Sequence, residues 1–252
     1  MNIAVLLKQV PDTTAKINVS NGKVDENSVS KWSMSPYDEY ALESGLQMKE
    51  ATGGVLIAIA CGPERNKKML TDAAAVGADT LIHISVDGIF DSIQVQNFLA
   101  AVIKNNEVDL VLCGKQAADT NAGSTGPGVA EILDAACVTM VSEVSFIENK
   151  FISVRPSISG TEKVSTNGLS VFTFDKGVSE LRRPNVRGIM MAKKKVIETI
   201  KPENLGLEGS DSERVFLKAQ NSPPEKEPGQ IFEGVGEIPT IISKLRNEAN
   251  VI

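Results

Sequence analysis

Histidine and aromatic residues are scarce in this sequence, and their scarcity excludes several kinds of catalytic site. The 252-residue chain contains one histidine, and 4% of its residues are aromatic. A metal site built from several histidines is excluded, and a Ser-His-Asp triad would have to use His83. His83 alternates with Ile82 and Ile84 in an apolar run, so we expect a structural or surface residue rather than a general base.

Cysteines, long apolar runs and excess positive charge are also missing. Cys61, Cys113 and Cys137 are an odd number and form no CxxC motif, which argues against disulfides or a zinc site and fits a reducing cytoplasm. No apolar run approaches the ~20 residues of a membrane span, and the first residues lack the pattern of a signal peptide. The formal net charge of -6 argues against binding to nucleic acid or to an anionic membrane.

The first half of the chain alternates short apolar runs with amphipathic segments. Strands are predicted at residues 3–8, 55–60, 81–84 and 109–113, and helices from residue 35 and at residues 63–76, 92–104 and 127–136. This alternation is typical of an α/β fold with a doubly wound, mostly parallel sheet. Ligands of such sheets bind beyond the carboxyl ends of the strands, which here are the loops after Lys8, Cys61 and Cys113.

The pattern changes after residue 138. Extra β segments are predicted at residues 141–146, 151–154 and 169–174, extending or edging the sheet. We predict a nucleotide-binding domain over residues 1–195 and an extended C-terminal arm over residues 196–252. The arm is polar and interrupted by prolines and glycines, namely Pro202, Gly206, Gly209, Pro223, Pro224, Pro228 and Gly229. A last helix at residues 239–248 is expected to dock on a partner subunit.

The loop after Cys113 is the strongest candidate for chemistry, because it is rich in small and hydroxyl residues and leads from a strand into a helix. Backbone N–H groups in such a loop, together with a helix N-terminus, can bind a phosphate. Lys115 can supply a charge or face solvent. The loop matches neither GxxxxGK[ST] nor GxGxxG, so an ordinary surface loop is the alternative. Its residues are Gly114, Lys115, Gln116, Ala117, Ala118, Asp119, Thr120, Asn121, Ala122, Gly123, Ser124 and Thr125.

Simple structural roles explain the other conspicuous residues. Ser35 is a predicted N-cap, and Asp38 and Glu39 lie in the first turn of its helix, where they favour the helix dipole. Cys61-Gly62 and Cys113-Gly114 end neighbouring strands, so each glycine either makes a tight turn or permits close backbone approach to a ligand. Residues 193–195 are three lysines, which predict a solvated face.

Seven short motifs, taken in order, resemble the β subunit of electron transfer flavoproteins, and they span about residues 1–200. The resemblance implies an adenine-nucleotide α-hydrolase-like fold and a heterodimer with an α subunit that carries FAD. The motifs run from Val5 to Asp12, Ser35 to Glu43, Cys61 to Pro63, Gly77 to Asp79, Asp109 to Ala117, Thr125 to Pro127 and Ile189 to Lys195.

The resemblance also implies cofactors and site residues. The β subunit binds AMP in simple electron carriers and a second FAD in electron-bifurcating members. The implied nucleotide contacts are Leu6, Ser35, Pro36, Tyr37, Asp38, Cys61 and the loop from Gly114 to Thr125. The implied contacts with a partner flavin dehydrogenase, acyl-CoA dehydrogenase-like or other, are Leu181, Arg182, Arg183, Arg187 and Met190.

The motifs Gln9 to Thr13 and Val186 to Gly188 resemble the bifurcating branch, as does the long arm. That branch implies NADH as the donor, and the α-subunit flavin and ferredoxin as the acceptors. Three alternatives stay open: a simple carrier with AMP, an ATP-binding or ATP-hydrolysing module, and a structural subunit with a vestigial pocket. An ATP pyrophosphatase would have an SGGxDS-type loop after its first strand, whereas this chain has residues 8–12, Lys-Gln-Val-Pro-Asp.

Overall fold

The computed structural model describes residues 1–87, 91–207, 218–222, 224 and 228–252. Gly209 and Pro223 of the predicted arm therefore lie outside the described residues. The strands are β1 (Asn2–Leu6), β2 (Gln9–Pro11), β3 (Val19–Ser20), β4 (Lys23–Val24), β5 (Trp32–Met34), β6 (Val55–Gly62), β7 (Thr80–Ser85), β8 (Leu110–Gly114), β9 (Ala136–Val141), β10 (Glu143–Ile147), β11 (Lys150–Ser157), β12 (Gly160–Thr166), β13 (Ser170–Phe174) and β14 (Ile197–Ile200). The helices are α1 (Pro36–Thr52), α2 (Asn66–Val76), α3 (Ser92–Asn105), α4 (Thr125–Ile132), α5 (Val186–Ala192) and α6 (Ile238–Asn247).

The centre of the fold is a seven-stranded sheet in the order β14-β7-β6-β1-β8-β13-β9. Every neighbouring pair in this sheet is parallel. The order places β1, the first strand of the chain, between β6 and β8. The carboxyl ends of these three strands therefore lie side by side, as the sequence predicted.

The sheet is covered on both faces, because successive residues of a strand point to opposite sides. Ile3 and Val5 pack in one apolar cluster with α1 and α2, whereas Ala4 and Leu6 pack in the other with α3 and α4. The doubly wound α/β fold is thus confirmed. His83 is fully buried, and its Nε2 lies 2.8 Å from the carbonyl oxygen of Gly62, so its role is structural.

The prediction that the later strands extend or edge the sheet is only partly correct. β13 lies inside the sheet, between β8 and β9, while β10, β11 and β12 form a separate antiparallel sheet. The small sheet packs on the α1 side of the main sheet, where Phe151 meets Phe172 edge-to-face with ring centroids 6.1 Å apart. A small two-stranded antiparallel sheet of β2 and β5 was not predicted.

Several predicted boundaries are wrong. The helix predicted at residues 63–76 begins at Asn66, after a turn in which the N–H of Asn66 donates to the carbonyl of Pro63. The helix predicted at residues 127–136 is α4, which begins and ends earlier, and Ala136 opens β9. Alanine favours a helix and valine favours a strand, and the pairing of β9 with β13 decides between them.

The segment after Lys195 is not wholly an arm. β14 pairs with β7 and completes the sheet, and the side chain of Lys195 donates to the carbonyls of Ala78 and Asp79 rather than facing solvent. Further on, the N–H of Gln220 donates to the carbonyl of Gly22 in the β3–β4 turn. The division into two units at residue 195 stays a prediction, with the sheet reaching Ile200.

The last helix, α6, matches the predicted helix at residues 239–248, and none of its residues is buried. Its apolar side chains include Ile238, Ile242 and Leu245, all exposed. Within the described ranges, no helix is both long and apolar enough to cross a bilayer.

Candidate functional site

A cavity of about 240 Å³ opens at the carboxyl ends of β1, β6 and β8. The start of α3 and the loop between β8 and α4 form its other walls. Most of the residues predicted from the loops and the family resemblance line it. These are Leu6, Asp38, Cys61, Gly114, Lys115, Gln116, Ala117, Thr120, Ala122, Gly123, Ser124 and Thr125.

The other predicted contacts lie around the cavity without lining it: Ser35, Pro36, Tyr37, Ala118, Asp119 and Asn121. Ser35 is fully buried, and its hydroxyl has no hydrogen-bond partner. The predicted N-cap interaction is absent, since the Ser35 side chain caps no backbone N–H of α1. Ser35 instead joins α1 to β1, because its N–H donates to the carbonyl of Lys8.

The loop before α4 presents unpaired backbone donors. Asn121 and Gly123 have positive φ angles, 51° and 67°, which turn the chain sharply on either side of Ala122. Among the described residues, the N–H groups of residues 122–125 donate to no protein acceptor. Consecutive free N–H groups in this conformation form an anion-binding concavity, and the first turn of α4 adds its own donors.

Two glycines allow the chain segments around the cavity to approach each other. A Cβ on Gly126 would lie 2.6 Å from Thr173 Cγ2 and 2.9 Å from Cys113 Sγ, so α4 begins directly against β8 and β13. A Cβ on Gly114 would lie 2.5 Å from Asp38 Oδ1 and from Tyr37 Cβ. Both glycines are therefore required by close packing, and neither has a positive φ.

Asp38 fastens two strand ends together beneath the cavity. Its Oδ2 accepts the N–H of Lys8 at 2.8 Å and its Oδ1 accepts the N–H of Gly114 at 2.9 Å. Burial raises the pKa of this carboxyl to about 7, although the two N–H donors oppose the shift. Asp38 therefore does more than favour the helix dipole, because its carboxyl joins the segment just after β1 to the end of β8.

Six residues that line the cavity were not predicted: Leu7, Lys8, Ser92, Val95, Leu99 and Cys113. Lys8 lies two residues after the end of β1, and the rule for ligands at strand ends could have identified it. Ser92 and Val95 could not be predicted from local sequence, because only tertiary packing brings α3 to the cavity. α3 begins at Asp91, whose side chain accepts the N–H of Gln94 at 2.8 Å in a capping box.

Gln96 is a further residue that sequence reasoning missed. It is buried on α3, and its Nε2 donates to the carbonyl of Ser124 at 3.0 Å and lies 3.3 Å from the Ser124 hydroxyl oxygen. A Cβ on Gly128 would clash with the Gln96 amide, so the glycine leaves room for it. The amide thus fixes the backbone immediately before α4.

Lys115 is held away from the loop that it was expected to serve. Its Nζ pairs with Asp175 at 2.7 Å and lies 5.5 Å from the centre of the Tyr37 ring. Lys8 instead reaches across to the loop, where its Nζ lies 2.8 Å from Asp119 Oδ1. Lys8 is therefore a cation that reaches the 114–125 loop from outside it.

The thiols at the cavity are not nucleophiles. Burial raises the pKa of Cys61 to about 12, and burial also raises the pKa of Cys113, with the Asp38 carboxylate as a lesser cause. Both sulfurs stay protonated near neutral pH, and a thiol is far less reactive than a thiolate. Among the described residues, no three His, Cys, Asp or Glu side chains gather as metal ligands.

A second cavity of about 630 Å³ lies between α1, α2, β5 and residues 181–184. Arg182 lines it and forms a fork with Glu43, with Nε 2.9 Å from Oε2 and Nη2 2.9 Å from Oε1, while Nη1 pairs with Glu50 at 2.6 Å. Glu43 is only 5% exposed. Arg182, predicted to contact a partner, is thus engaged within the chain and anchors its segment to α1.

Beyond Arg182, the predicted partner segment is exposed. Arg183 and Arg187 face solvent, as does Met190 at 62% exposure, whereas Leu181 is half-buried in the wall of the second cavity. The most exposed apolar side chain of α5 is Val186, at 76%. α5 therefore exposes several apolar side chains, of which Met190 was a predicted contact and Val186, Ile189 and Met191 were not.

Comparisons with known proteins agree on one family. Residues 23–205 match the family model described as "Electron transfer flavoprotein domain". The chain is 33% identical over 258 residues to the electron transfer flavoprotein subunit beta of Bacillus subtilis (strain 168), covering all of both chains. It is 34% identical over 255 residues to the subunit beta of Homo sapiens, covering 98% of this chain and 97% of the relative. The mitochondrial subunit beta of Oryza sativa subsp. indica is 32% identical over the full length of both chains.

Proposed function

The chain belongs to the electron transfer flavoprotein family as a β subunit, and from this premise we propose that it pairs with an α subunit and binds an adenine nucleotide in the 240 Å³ cavity. The observation that carries the proposal is the row of unpaired N–H groups at residues 122–125, four residues that line a cavity at three strand ends. Such donors fit a phosphate group.

The residues around the cavity suit a nucleotide in other ways. Leu6, Val95 and Leu99 offer apolar walls against which a base or ribose can pack. Gly126 brings the start of α4 close to β8, and Gln96 fixes the turn before it. These residues bind and orient the nucleotide, and none of them is placed to act as an acid, base or nucleophile.

The bound nucleotide is either a second FAD, as in bifurcating members, or AMP, as in simple carriers. The resemblance of residues 9–13 and 186–188 to bifurcating members supports a second FAD. A bound flavin would supply the redox chemistry, with NADH as donor and the α-subunit flavin and ferredoxin as acceptors. A cavity of about 240 Å³ is smaller than the roughly 300–1,000 Å³ of sites for drug-sized ligands, which favours AMP.

Two exposed surfaces suit protein partners. The unburied apolar side of α6 fits docking on the α subunit, because none of the helix residues is buried among the described residues and its apolar area is left in water. The exposed apolar side chains of α5, together with the exposed Arg183 and Arg187, fit an acidic partner flavin dehydrogenase, acyl-CoA dehydrogenase-like or other. Three free cysteines fit action in a reducing cytoplasm.

Cofactor analysis of the purified heterodimer tests these proposals. The chain is co-produced with its α subunit, the cofactors are released by denaturation, and flavin and AMP are quantified per heterodimer. Two flavins, with NADH-dependent reduction of ferredoxin, support bifurcation, whereas one flavin plus AMP supports the simple carrier. A complex that carries ATP and no flavin would refute the electron-transfer function.

A further inference from the structure

Lys8 lines the nucleotide cavity and carries a positive charge close to the 114–125 loop. Its backbone is fixed on both sides, because its N–H donates to Asp38 and its carbonyl accepts the N–H of Ser35 at 2.9 Å. Its side chain is 42% exposed and reaches the loop that bears the free N–H groups, where it pairs with Asp119. The ammonium group therefore leaves a rigid strand end and meets the nucleotide loop.

The other lysine that lines the cavity has a counter-ion elsewhere. Lys115 pairs with Asp175, in the connection that follows β13, and also faces the ring of Tyr37. Lys8 is thus the cavity lysine whose counter-ion belongs to the loop itself. Entry of an anion into the loop brings a competing negative charge towards the same ammonium group.

The pair between Lys8 and Asp119 is easily exchanged. An ion pair between partly exposed side chains contributes about 0–1 kcal/mol to stability, because water screens it and two side chains must be held in place. A phosphate offers a lysine several strong acceptor oxygens and a greater charge than one carboxylate. Exchange of the carboxylate for a phosphate is therefore favourable once the phosphate occupies the N–H groups at residues 122–125.

We propose that Lys8 is the phosphate-binding cation of the cavity, held by Asp119 until a nucleotide displaces that carboxylate. The inference rests on the proposed nucleotide site and adds a basis for its selectivity. The backbone donors and apolar walls accept nucleosides and nucleotides alike, whereas Lys8 favours the phosphorylated ligand. A hydrogen bond to a charged group is worth about 1.5–3 kcal/mol, so Lys8 raises the affinity for AMP about 10- to 100-fold.

Titration of AMP and adenosine into nucleotide-depleted heterodimer tests the proposal. Lys8→Met keeps most of the side-chain volume and removes the charge. We expect it to weaken AMP binding about 10- to 100-fold and to leave adenosine binding unchanged, which also shows that the cavity is intact. Lys31→Met is the matched control, because Lys31 forms a similar pair with Asp12, 2.7 Å long, outside this cavity. AMP binding by the control should equal that of the unaltered protein.

Two further variants examine the exchange itself. Lys8→Arg keeps the charge and should restore AMP binding to within a few-fold. Asp119→Asn still offers Oδ1 to the N–H of Thr120, which donates to it at 2.8 Å, and should strengthen AMP binding. The gain in AMP affinity from Asp119→Asn should shrink in a protein that also carries Lys8→Met, because the substitution of Asp119 then frees no ammonium group from its ion pair.

The same titrations distinguish an error about the role of Lys8 from an error about the nucleotide site. Equal AMP affinity in Lys8→Met and the unaltered protein overturns the role of Lys8 and leaves the site standing. Parallel losses of AMP and adenosine affinity also overturn it, because they indicate a general disturbance of the cavity. An unaltered heterodimer that binds neither AMP nor adenosine overturns the inference and the nucleotide site together.

Discussion

The carboxyl of Asp38 should make the stability of the protein depend on pH in an unusual direction. Burial raises its pKa from 3.8 to about 7 in the folded chain, so the folded state holds this proton more tightly than the unfolded state. The unfolded chain ionises near pH 4, and the folded chain resists ionisation until about pH 7. The contribution of Asp38 to stability is therefore complete below pH 4 and is lost as the pH rises towards 7.

The size of the effect follows from the width of that window. One unit of pH corresponds to about 1.4 kcal/mol for a proton that only the folded state retains, and the folded carboxyl is half ionised at pH 7, so the loss between pH 5 and pH 7 is about 2 kcal/mol. Ion pairing lowers the pKa of Glu50, and despite its burial Arg182 lowers that of Glu43. The stability that Glu43 and Glu50 contribute is therefore lost as the pH falls below the usual pKa of a glutamate side chain, in a window under pH 5. The two effects are separated by pH, so the combined contribution of these three carboxyls to stability is greatest near pH 5.

Asp38→Asn isolates the contribution of this residue. The amide has the shape of the carboxyl and no charge, but its nitrogen must face one of the two N–H donors, at a cost of about 1–3 kcal/mol. Urea unfolding at pH 5, 6, 7 and 8, followed by circular dichroism, gives the free energy of unfolding of both proteins. We expect the gap between them to move by about 2 kcal/mol in favour of the variant between pH 5 and pH 7. A constant gap across this range would refute a raised pKa for Asp38.

Three other substitutions test the packing around the sites. Arg182→Ala leaves the carboxyl of Glu43 buried without its partner. Because the Arg182 side chain is 31% exposed, we expect urea unfolding to show a free energy of unfolding lower by about 2 kcal/mol, less than the about 3–5 kcal/mol typical of fully buried pairs. A loss under about 0.5 kcal/mol would contradict the anchoring role. Gly128→Ala displaces the Gln96 amide from Ser124, so calorimetry should show AMP binding weakened about 10-fold, with about 1–3 kcal/mol of stability lost to overpacking. Leu245→Asp places a charge on the apolar side of α6, and gel filtration should show weaker assembly with the α subunit at unchanged helix content; full assembly would show that α6 lies outside the interface.

The sequence is informative about the fold wherever the local pattern is strong. Ile3 to Leu7 alternate between the two faces of the sheet, and apolar runs of that kind predicted β1, β6, β7 and β8. The rule that ligands bind beyond parallel strand ends then gave the loops that line the cavity. β9 was missed because its first residue, Ala136, continues a run of helix-forming residues, and β14 was missed because it comes shortly after three lysines that indicate solvent.

Contacts between distant residues account for the rest. The two N–H donors of Asp38 come from residues 30 and 76 positions away along the chain, and Lys8 pairs with a residue 111 positions away. Local pattern cannot reveal such pairs, because helix-capping preferences explain Asp38 and surface exposure explains Lys8 equally well. The same limit applies to Arg182, whose partners lie on α1, 132 and 139 positions distant.

The nucleotide content of the purified heterodimer, compared between the unaltered protein and Thr125→Arg, tests the central claim most directly. Thr125 is the first residue of α4 and lines the cavity, so an arginine there would fill the space beside the free N–H groups. About one adenine nucleotide per β subunit is expected in the unaltered complex, beyond the α-subunit FAD, and little or none in the variant. Full nucleotide occupancy in Thr125→Arg would contradict the placement of the nucleotide in this cavity.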